Sequence, residues 1–497
     1  MTATSVSARL SRRRRAIGLY DVWLVFAWLG VLAFVIGLRD QSALLVAVSA
    51  ASFAFAFVAN DASRVRRNGI TPITVFAVIS AITSLANATA FAATDSPARS
   101  AYYLYAAEDK LFAASVLSWL GVVLPVIGFW AIARSGRARS WLSLLPSIAG
   151  ELSEPALVAG AVVGGSIGIV VHLLPRTSAP GTTTALVYLL PQVAAFTLAR
   201  RGADRNRNRL ILLALVLTVL EAFRAVMFDY LRANMIAPFV VFVLGLIIGA
   251  RSLRPLRSRM LIPAYIFAAA FVLYFSAFGA LRSQAGSGLA RLTTVVEQRS
   301  DVMNSDAPDA HQTVWSRLTN FNQLSQVAKI AGADGYLHGA TLKYMAFVFV
   351  PRFIWPNKPV VAEGGWFAWR IGQGLIKANG TYSNSINMTI PGELYLNFGP
   401  WGTVFGCLAY GALFAAFWST THFWRSSRNA LGSAYGCYLF WVGAILGADL
   451  QIVVTMLAMY VLFIVVSRLL GLVTSRRMEA PRFVTPLARP FTSRIAP

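Results

Sequence analysis

The sequence predicts an all-α polytopic membrane protein with about twelve transmembrane helices and one large loop. Three observations lead to this fold class. The 497-residue chain is 57% hydrophobic and only 13% charged, with a mean hydropathy of +0.61, whereas soluble domains carry about 25% charged residues. Apolar runs of about 20 residues, the length that crosses a bilayer, recur along it. Arginine clusters follow every second run, as in cytoplasmic membrane loops.

Twelve stretches reach or approach the length of a membrane span. They are residues 18–38, 41–60, 71–94, 111–133, 155–174, 181–199, 210–229, 235–250, 260–281, 394–419, 430–448 and 450–472.

The basic residues between these stretches set the predicted orientation. Cytoplasmic loops are enriched in Lys and Arg, and Arg12 to Arg15 precede the first span. Every second connection after that is basic, so both termini are predicted to be cytoplasmic. The net charge of +24 is thereby explained by membrane loops. Nucleic-acid binding would need these charges gathered on one soluble face or in a motif, so we expect no nucleic-acid partner.

One connection is far longer than the others. Residues 282–393 separate a bundle at 1–281 from the last spans at 394–472, which a basic cytoplasmic tail at 473–497 follows. A connection of about 110 residues is too long for a simple loop in a compact fold. We therefore interpret 282–393 as a functional element on the outer side of the membrane.

The large loop contains an amphipathic segment, VWSRLTNFNQLSQVAKIA at 314–331. Its apolar residues recur at helical spacing and form one stripe. The sequence thus predicts a helix that lies on the bundle or in the headgroup layer.

Basic residues in an outer loop run against the usual charge rule and suggest an anionic ligand. In YMAFVFVPRFIWPNKPVV at 344–361, prolines exclude a regular spanning helix, and Arg352 and Lys358 stand beside Trp355. Arg offers a planar fork to phosphate and Lys a point charge. We predict a re-entrant or interfacial segment whose cations, with Arg282 and Arg317, meet a lipid diphosphate. Snorkelling anchors at the membrane interface are the alternative.

Ionisable residues inside a span are a second signal, because each is unfavourable in lipid. Glu221 and Arg224 lie three residues apart near the end of the seventh span, and Arg232 follows. Arg224 and Arg232 are candidates for the same anion pocket. A local Glu221–Arg224 ion pair explains the pattern equally well.

A third signal is NSINMTIPGELYLNFGPWG at 384–402, where a polar run meets the tenth span. Glu393 either caps a helix N-terminus or orients and deprotonates a hydroxyl group. Asn384, Asn387 and Asn397 offer the paired donors and acceptors that hold sugar hydroxyls, and Trp355 is a further candidate for contacting a sugar.

Other chemistries lack their motifs. No nucleotide-binding glycine loop, HExxH, GxSxG or aspartate-rich metal motif occurs, so we expect neither a cofactor nor a metal. Cys407 and Cys437 both lie in apolar runs and are interpreted as small buried residues.

FVPRFIWPNKP, the Asn-rich stretch after it and PGELYLNFGPWGTVFGCLAYG at 391–411 together resemble the O-antigen polymerase family of oligosaccharide repeat unit polymerases. The similarity is concentrated in residues 315–415. It implies a GT-C-like, metal-independent glycosyltransferase in the bacterial cytoplasmic membrane. Polyprenyl-diphosphate-linked glycans would be both donor and acceptor, outer-loop arginines would bind the diphosphate, and Glu393 and Arg352 would be the catalytic residues. A flippase and a chain-length regulator are the protein partners that this role implies.

Three other readings stay open. An O-antigen ligase shares the donor and architecture and differs in its acceptor. A lipid-linked oligosaccharide flippase or other transporter would show related halves, and none is evident. A membrane protein with a merely structural outer domain is the third.

Overall fold

A computed structural model describes residues 23–68, 71–93, 102–135, 140–142, 144–173, 181–225, 232–250, 262, 318–346, 355, 363–377, 382–423, 429–445 and 449–473. These residues are helical apart from connecting segments. Within them there is no β-strand, and pairing is limited to isolated bridges between Glu151 and Asn429 and between Ile376 and Tyr382.

We number the described α-helices in chain order. They are α1 Trp23–Arg39, α2 Ala43–Asn68, α3 Pro72–Ala92, α4 Leu111–Arg134, α5 Glu154–Leu173, α6 Gly181–Asp204, α7 Asn208–Arg224, α8 Arg232–Ala250, α9 Phe321–Asp334, α10 Glu363–Arg370, α11 Ile390–Thr420, α12 Ala430–Ala444 and α13 Gln451–Val473. A 3-10 helix covers Ala340–Ala346.

The fold is that of a membrane-embedded helical protein. In the described part of the chain, five helices are long and apolar enough to cross a bilayer, and they are α2, α3, α4, α11 and α13. Helices also occupy the other predicted stretches, except 260–281, which lies outside the described residues. The count of twelve crossings, their orientation and the GT-C-like arrangement stay predictions.

Among the helix ends that differ from the sequence prediction, two lie near Glu393. Helix α11 begins at Ile390 rather than at residue 394, because Thr389 caps it and Pro391 fits the first turn. Helix α12 ends at Ala444 rather than at 448, since the backbone turns extended at Ile445. Non-helical backbone therefore precedes α13.

Helices α4 and α11 cross at glycines. A side chain at Gly411 would collide with the carbonyl group of Pro125, and one at Gly128 with the carbonyl of Leu408. Small residues let two backbones approach closely, which is how helices pack inside a bilayer. This crossing anchors α11, which carries Glu393, against the bundle.

Helix α11 is broken at Gly399, where φ is 70° and ψ is −161°, a combination that essentially only glycine adopts. Pro400 follows and cannot donate a backbone hydrogen bond. The carbonyl groups freed by the break are taken up by the large loop, since Leu337 N–H donates to Leu396 O and His338 N–H to Asn397 O, both at 2.9 Å. The large loop thus supplies hydrogen-bond donors for the carbonyl groups that the break in α11 leaves without a helical partner.

The amphipathic helix predicted in the large loop is confirmed over α9. Its apolar stripe, Phe321, Leu324 and Val327, is fully buried, partly against α3 and α4. Helix α9 begins at Phe321, and residues 314–317 of the predicted segment lie outside the described residues. Asn320 directly precedes the helix. Its Oδ1 accepts hydrogen bonds from Asn87 at 2.8 Å and Ser118 at 3.1 Å, which fixes the loop to one end of the bundle. We call this the loop end.

The opposite end is tied together by Asn429. Its Nδ2 donates to Ile148 O at 3.0 Å, while its Oδ1 accepts from Gly150 N at 3.1 Å and Gly432 N at 3.0 Å. One side chain thereby joins an extended segment at 144–150 to the start of α12. The two cysteines, Cys407 and Cys437, are free and buried, as the sequence predicts.

Candidate functional site

The candidate site is built around the first turn of α11 at the loop end. Thr389 has φ of 68°, and its hydroxyl oxygen accepts the N–H of Gly392 at 3.4 Å. This side chain therefore serves as the N-cap of α11. Glu393 lies in the first turn, where the helix dipole favours a carboxylate.

The carboxylate of Glu393 accepts hydrogen bonds from residues outside its own helix. Oε2 accepts the backbone N–H of Leu450 at 2.8 Å, and Oε1 accepts the hydroxyl of Thr341 at 3.4 Å. Leu450 directly precedes α13, whose first N–H groups have no partner within the helix. Glu393 thus caps a helix, but a different one from the helix that contains it. Its side chain is buried, with 1% of the residue exposed.

Asn397 extends this network one turn further along α11. Its Nδ2 donates to Thr341 Oγ1 at 2.7 Å and to the carbonyl of Glu393 at 2.8 Å. No described atom donates to its Oδ1, although none of the residue is exposed. A buried acceptor without a donor is unfavourable by about 1–3 kcal/mol. The amide oxygen is therefore a position where a bound donor group would gain energy.

Two further carboxylates lie close to Glu393, Glu363 at the start of α10 and Asp449 before α13, and their charges act on it. Burial raises the pKa of Asp449, while the N–H of Gln451 acts in the opposite direction. Burial raises the pKa of Glu363 as well, and the negative charge of Asp449 adds to this rise. Three separate segments of the chain therefore converge on one acidic region.

The other predicted sugar-binding residues lie at the exposed surface of the loop. Asn384 donates to Gln373 O at 2.9 Å and accepts from Ser385 N at 2.9 Å. Asn387 is exposed and lies beside Gly364 on α10. Gly364 directly follows Glu363 in the chain. Trp355 is 41% exposed. Of the predicted set, the structure brings Asn397 together with Glu393, and sugar binding by all four residues stays a prediction.

Arg224 is described, and it forms the ion pair with Glu221 that was one of the two interpretations. The pair is bidentate, with Nε to Oε2 at 2.9 Å and Nη2 to Oε1 at 2.7 Å, and both side chains are buried. Arg232 begins α8, and its side chain lies outside the described residues, as do Arg282, Arg317, Arg352 and Lys358 entirely. Their role toward a diphosphate stays a prediction.

A cavity of about 80 Å³ lies next to the site, between α3, α4, α11 and α12. Asn320, Ser118 and Thr389 line it, together with apolar residues from all four helices. Thr83 also lines the cavity, and its hydroxyl has no partner among the described residues. The cavity therefore contains one buried hydroxyl group without a partner among the described residues, beside the first turn of α11.

Sequence reasoning missed Thr341, Glu363 and Asp449. The Gly399-Pro400 pair is a helix-breaking signal inside the predicted stretch 394–419, and it marks where the loop approaches α11. Asp449 lies between the predicted stretches 430–448 and 450–472, and nothing in that short connection marks it as a site residue. Across the described residues, no three His, Cys, Asp or Glu side chains are arranged to hold a metal ion.

No family model, curated protein or solved structure matches this chain.

Proposed function

We propose that this chain is a membrane glycosyltransferase that polymerises polyprenyl-diphosphate-linked oligosaccharide repeat units on the outer face of the bacterial cytoplasmic membrane. The observation that supports it most is the broken helix α11. Irregular backbone at membrane depth is tolerated where it is buried in protein or lines a cavity. Here the break lies beneath a large loop and beside buried carboxylate and amide groups, which suits a reaction on a lipid-linked sugar.

The proposed reaction needs two sets of residues. Cations stabilise the charge that develops on the leaving diphosphate, a fixed-charge effect that contributes much of many rate enhancements. We assign that role to Arg352 and Lys358, with support from Arg317, Arg282, Arg224 and Arg232. The second set, Asn384, Asn387, Asn397 and Trp355, contacts sugars. The acceptor hydroxyl must also lose its proton to a carboxylate, and Glu393 is the residue that the sequence predicts for this role.

Deleting the gene and separating the surface glycans by size tests the reaction type. A polymerase predicts glycans of a single repeat unit in place of a ladder. Polymer that is made but left unattached would instead indicate a ligase. Lipid-linked units trapped on the inner face would indicate a flippase, and an unchanged ladder would remove all three.

A second experiment tests the diphosphate site. Arg352→Ala is expected to abolish chain extension while the protein is still made at the normal level. Arg370→Ala is the matched control, because Arg370 also lies in the large loop but is paired with Asp334 at the exposed surface. Normal polymer length from Arg352→Ala would exclude this arginine from the reaction.

A further inference from the structure

Glu393 is poorly placed to meet a substrate hydroxyl. Both of its carboxylate oxygens are occupied by donors from the protein, Leu450 N–H and the Thr341 hydroxyl. A general base must come within hydrogen-bond reach of the proton that it takes. An incoming hydroxyl would have to displace a helix cap in order to reach this carboxylate.

Asp449 is the carboxylate next to that cap. It is only partly buried, and it directly precedes Leu450, whose N–H is held by Glu393. Its carbonyl oxygen accepts the N–H of Ile452 at 3.2 Å, and its carboxylate accepts the N–H of Gln451. The first turn of α13 therefore holds Asp449 in a fixed position, and Glu393 holds that turn.

An independent observation indicates that a hydrogen-bond donor from outside the protein belongs here. The Oδ1 atom of Asn397 is fully buried and has no donor among the described residues. Its amide group shares Thr341 with Glu393. A sugar carries hydroxyl groups that both donate and accept, so one sugar can satisfy Asn397 while another of its hydroxyls faces a carboxylate.

We propose that Asp449 takes the proton from the acceptor hydroxyl and that Glu393 is a positioning residue that holds Asp449 through Leu450. The proposal rests on the proposed glycosyl transfer. The acceptor oxygen forms a bond to the anomeric carbon of the donor sugar, the bond from that carbon to the diphosphate oxygen breaks, and the electron pair leaves with the polyprenyl diphosphate. The hydroxyl proton passes to the Asp449 carboxylate.

The electrostatic surroundings agree with this role. Burial raises the pKa of Asp449 above the ordinary aspartate range, which brings a base closer to the pH at which it works. Among the described residues, the charged groups that act together with it are Glu363 on α10 and Glu393 on α11. Asp449 is thus the base whose ionisation should appear in the pH dependence of the rate.

The test uses full-length protein in lipid nanodiscs, with lipid-linked oligosaccharides extracted from a strain that lacks this chain as the probe. Asp449→Asn is the informative variant, because asparagine caps a helix as well as aspartate does but cannot accept the proton. We expect the extension rate to fall by about 10²- to 10⁴-fold, and the loss of rate at low pH to disappear from the residual activity. Asp109→Asn, on an exposed outer-loop carboxylate, is the matched control.

Variants of Glu393 distinguish a positioning role of this residue from a catalytic one. Glu393→Gln keeps an oxygen for Leu450 N–H and should retain most of the extension rate, whereas Glu393→Ala should lose it. An inactive Glu393→Gln together with an active Asp449→Asn would overturn the assignment and make Glu393 the base. An unmodified protein that does not extend the probe at all would instead refute the proposed function, independently of these variants.

Discussion

The backbone N–H of Leu450 donates a 2.8 Å hydrogen bond to Oε2 of Glu393, a residue 57 positions earlier in the chain. The bond links the first turn of α11 to the residue directly before α13, and α12 lies between these two helices in the chain. One buried carboxylate thereby contributes to the relative position of the two helices, which also pack through Phe417 and Tyr460. Removing that carboxylate should therefore lower the free energy of unfolding as well as the rate of chain extension.

Replacing Glu393 by alanine leaves the N–H of Leu450 buried without an acceptor. We expect Glu393→Ala to lower the free energy of unfolding by about 1–3 kcal/mol, and Glu393→Gln by clearly less. Thermal unfolding in detergent measures both, with Asp109→Ala as the control. Equal stability of the alanine and glutamine variants would show that the Leu450 hydrogen bond contributes little.

The break in α11 depends on glycine at position 399. Gly399→Ala places a side chain in a conformation that disfavours it and brings the new carbon to 2.8 Å from the Tyr336 ring. The backbone strain alone is about 1–3 kcal/mol. We expect a lower melting temperature and faster proteolysis of the large loop. Gly332→Ala, at an exposed α9 position with open space around it, should neither lower the melting temperature nor speed proteolysis, because alanine favours a helix more than glycine does.

The crossing of α4 and α11 makes a prediction about packing. Gly411→Ala drives a methyl group into the Pro125 carbonyl, and overpacking of this kind destabilises by about 1–3 kcal/mol. Gly160→Ala is the matched helical control, since nothing lies near its added carbon. Comparable melting temperatures for the two variants would mean that the helices separate at little cost in free energy.

The Glu221–Arg224 pair permits a test of whether Arg224 binds the diphosphate. Removing one partner from a buried pair destabilises by about 3–5 kcal/mol, whereas replacing both with apolar residues of similar volume is often neutral. Glu221→Leu with Arg224→Met should therefore fold. If the double variant folds and extends chains normally, Arg224 does not bind the diphosphate; if it folds but is inactive, Arg224 acts in the reaction.

The acidic region at the loop end predicts how stability changes with pH. The pKa of Asp449 and that of Glu363 are raised on folding, so the folded state binds more protons than the unfolded state. Stability then falls as pH rises from about 4, the ordinary range of aspartate, through the raised values. Melting temperatures across this range should show the decline, and Asp449→Asn should flatten it. A melting temperature that rises with pH there would contradict the raised pKa values.

The sequence predicts the helices well because their apolar runs are local features. The stripe of Phe321, Leu324 and Val327 identifies α9 for the same reason. The sequence does not reveal that Glu393 contacts Leu450 or that Thr341 contacts Asn397, because these contacts join segments more than 50 residues apart. Whether a carboxylate is exposed or occupied depends on such contacts, so the residue with chemical access could not be selected from the sequence alone.

The cap on α13 also has a consequence for the order in which the protein is made. Ribosomal synthesis produces the large loop and α11 before α13, so Glu393 has no Leu450 N–H to bind until the last described helix has been inserted. Until then the Glu393 carboxylate lacks its hydrogen bond from Leu450. The candidate site is therefore completed only after α13 has been made, later than the large loop and α11 that carry most of its residues.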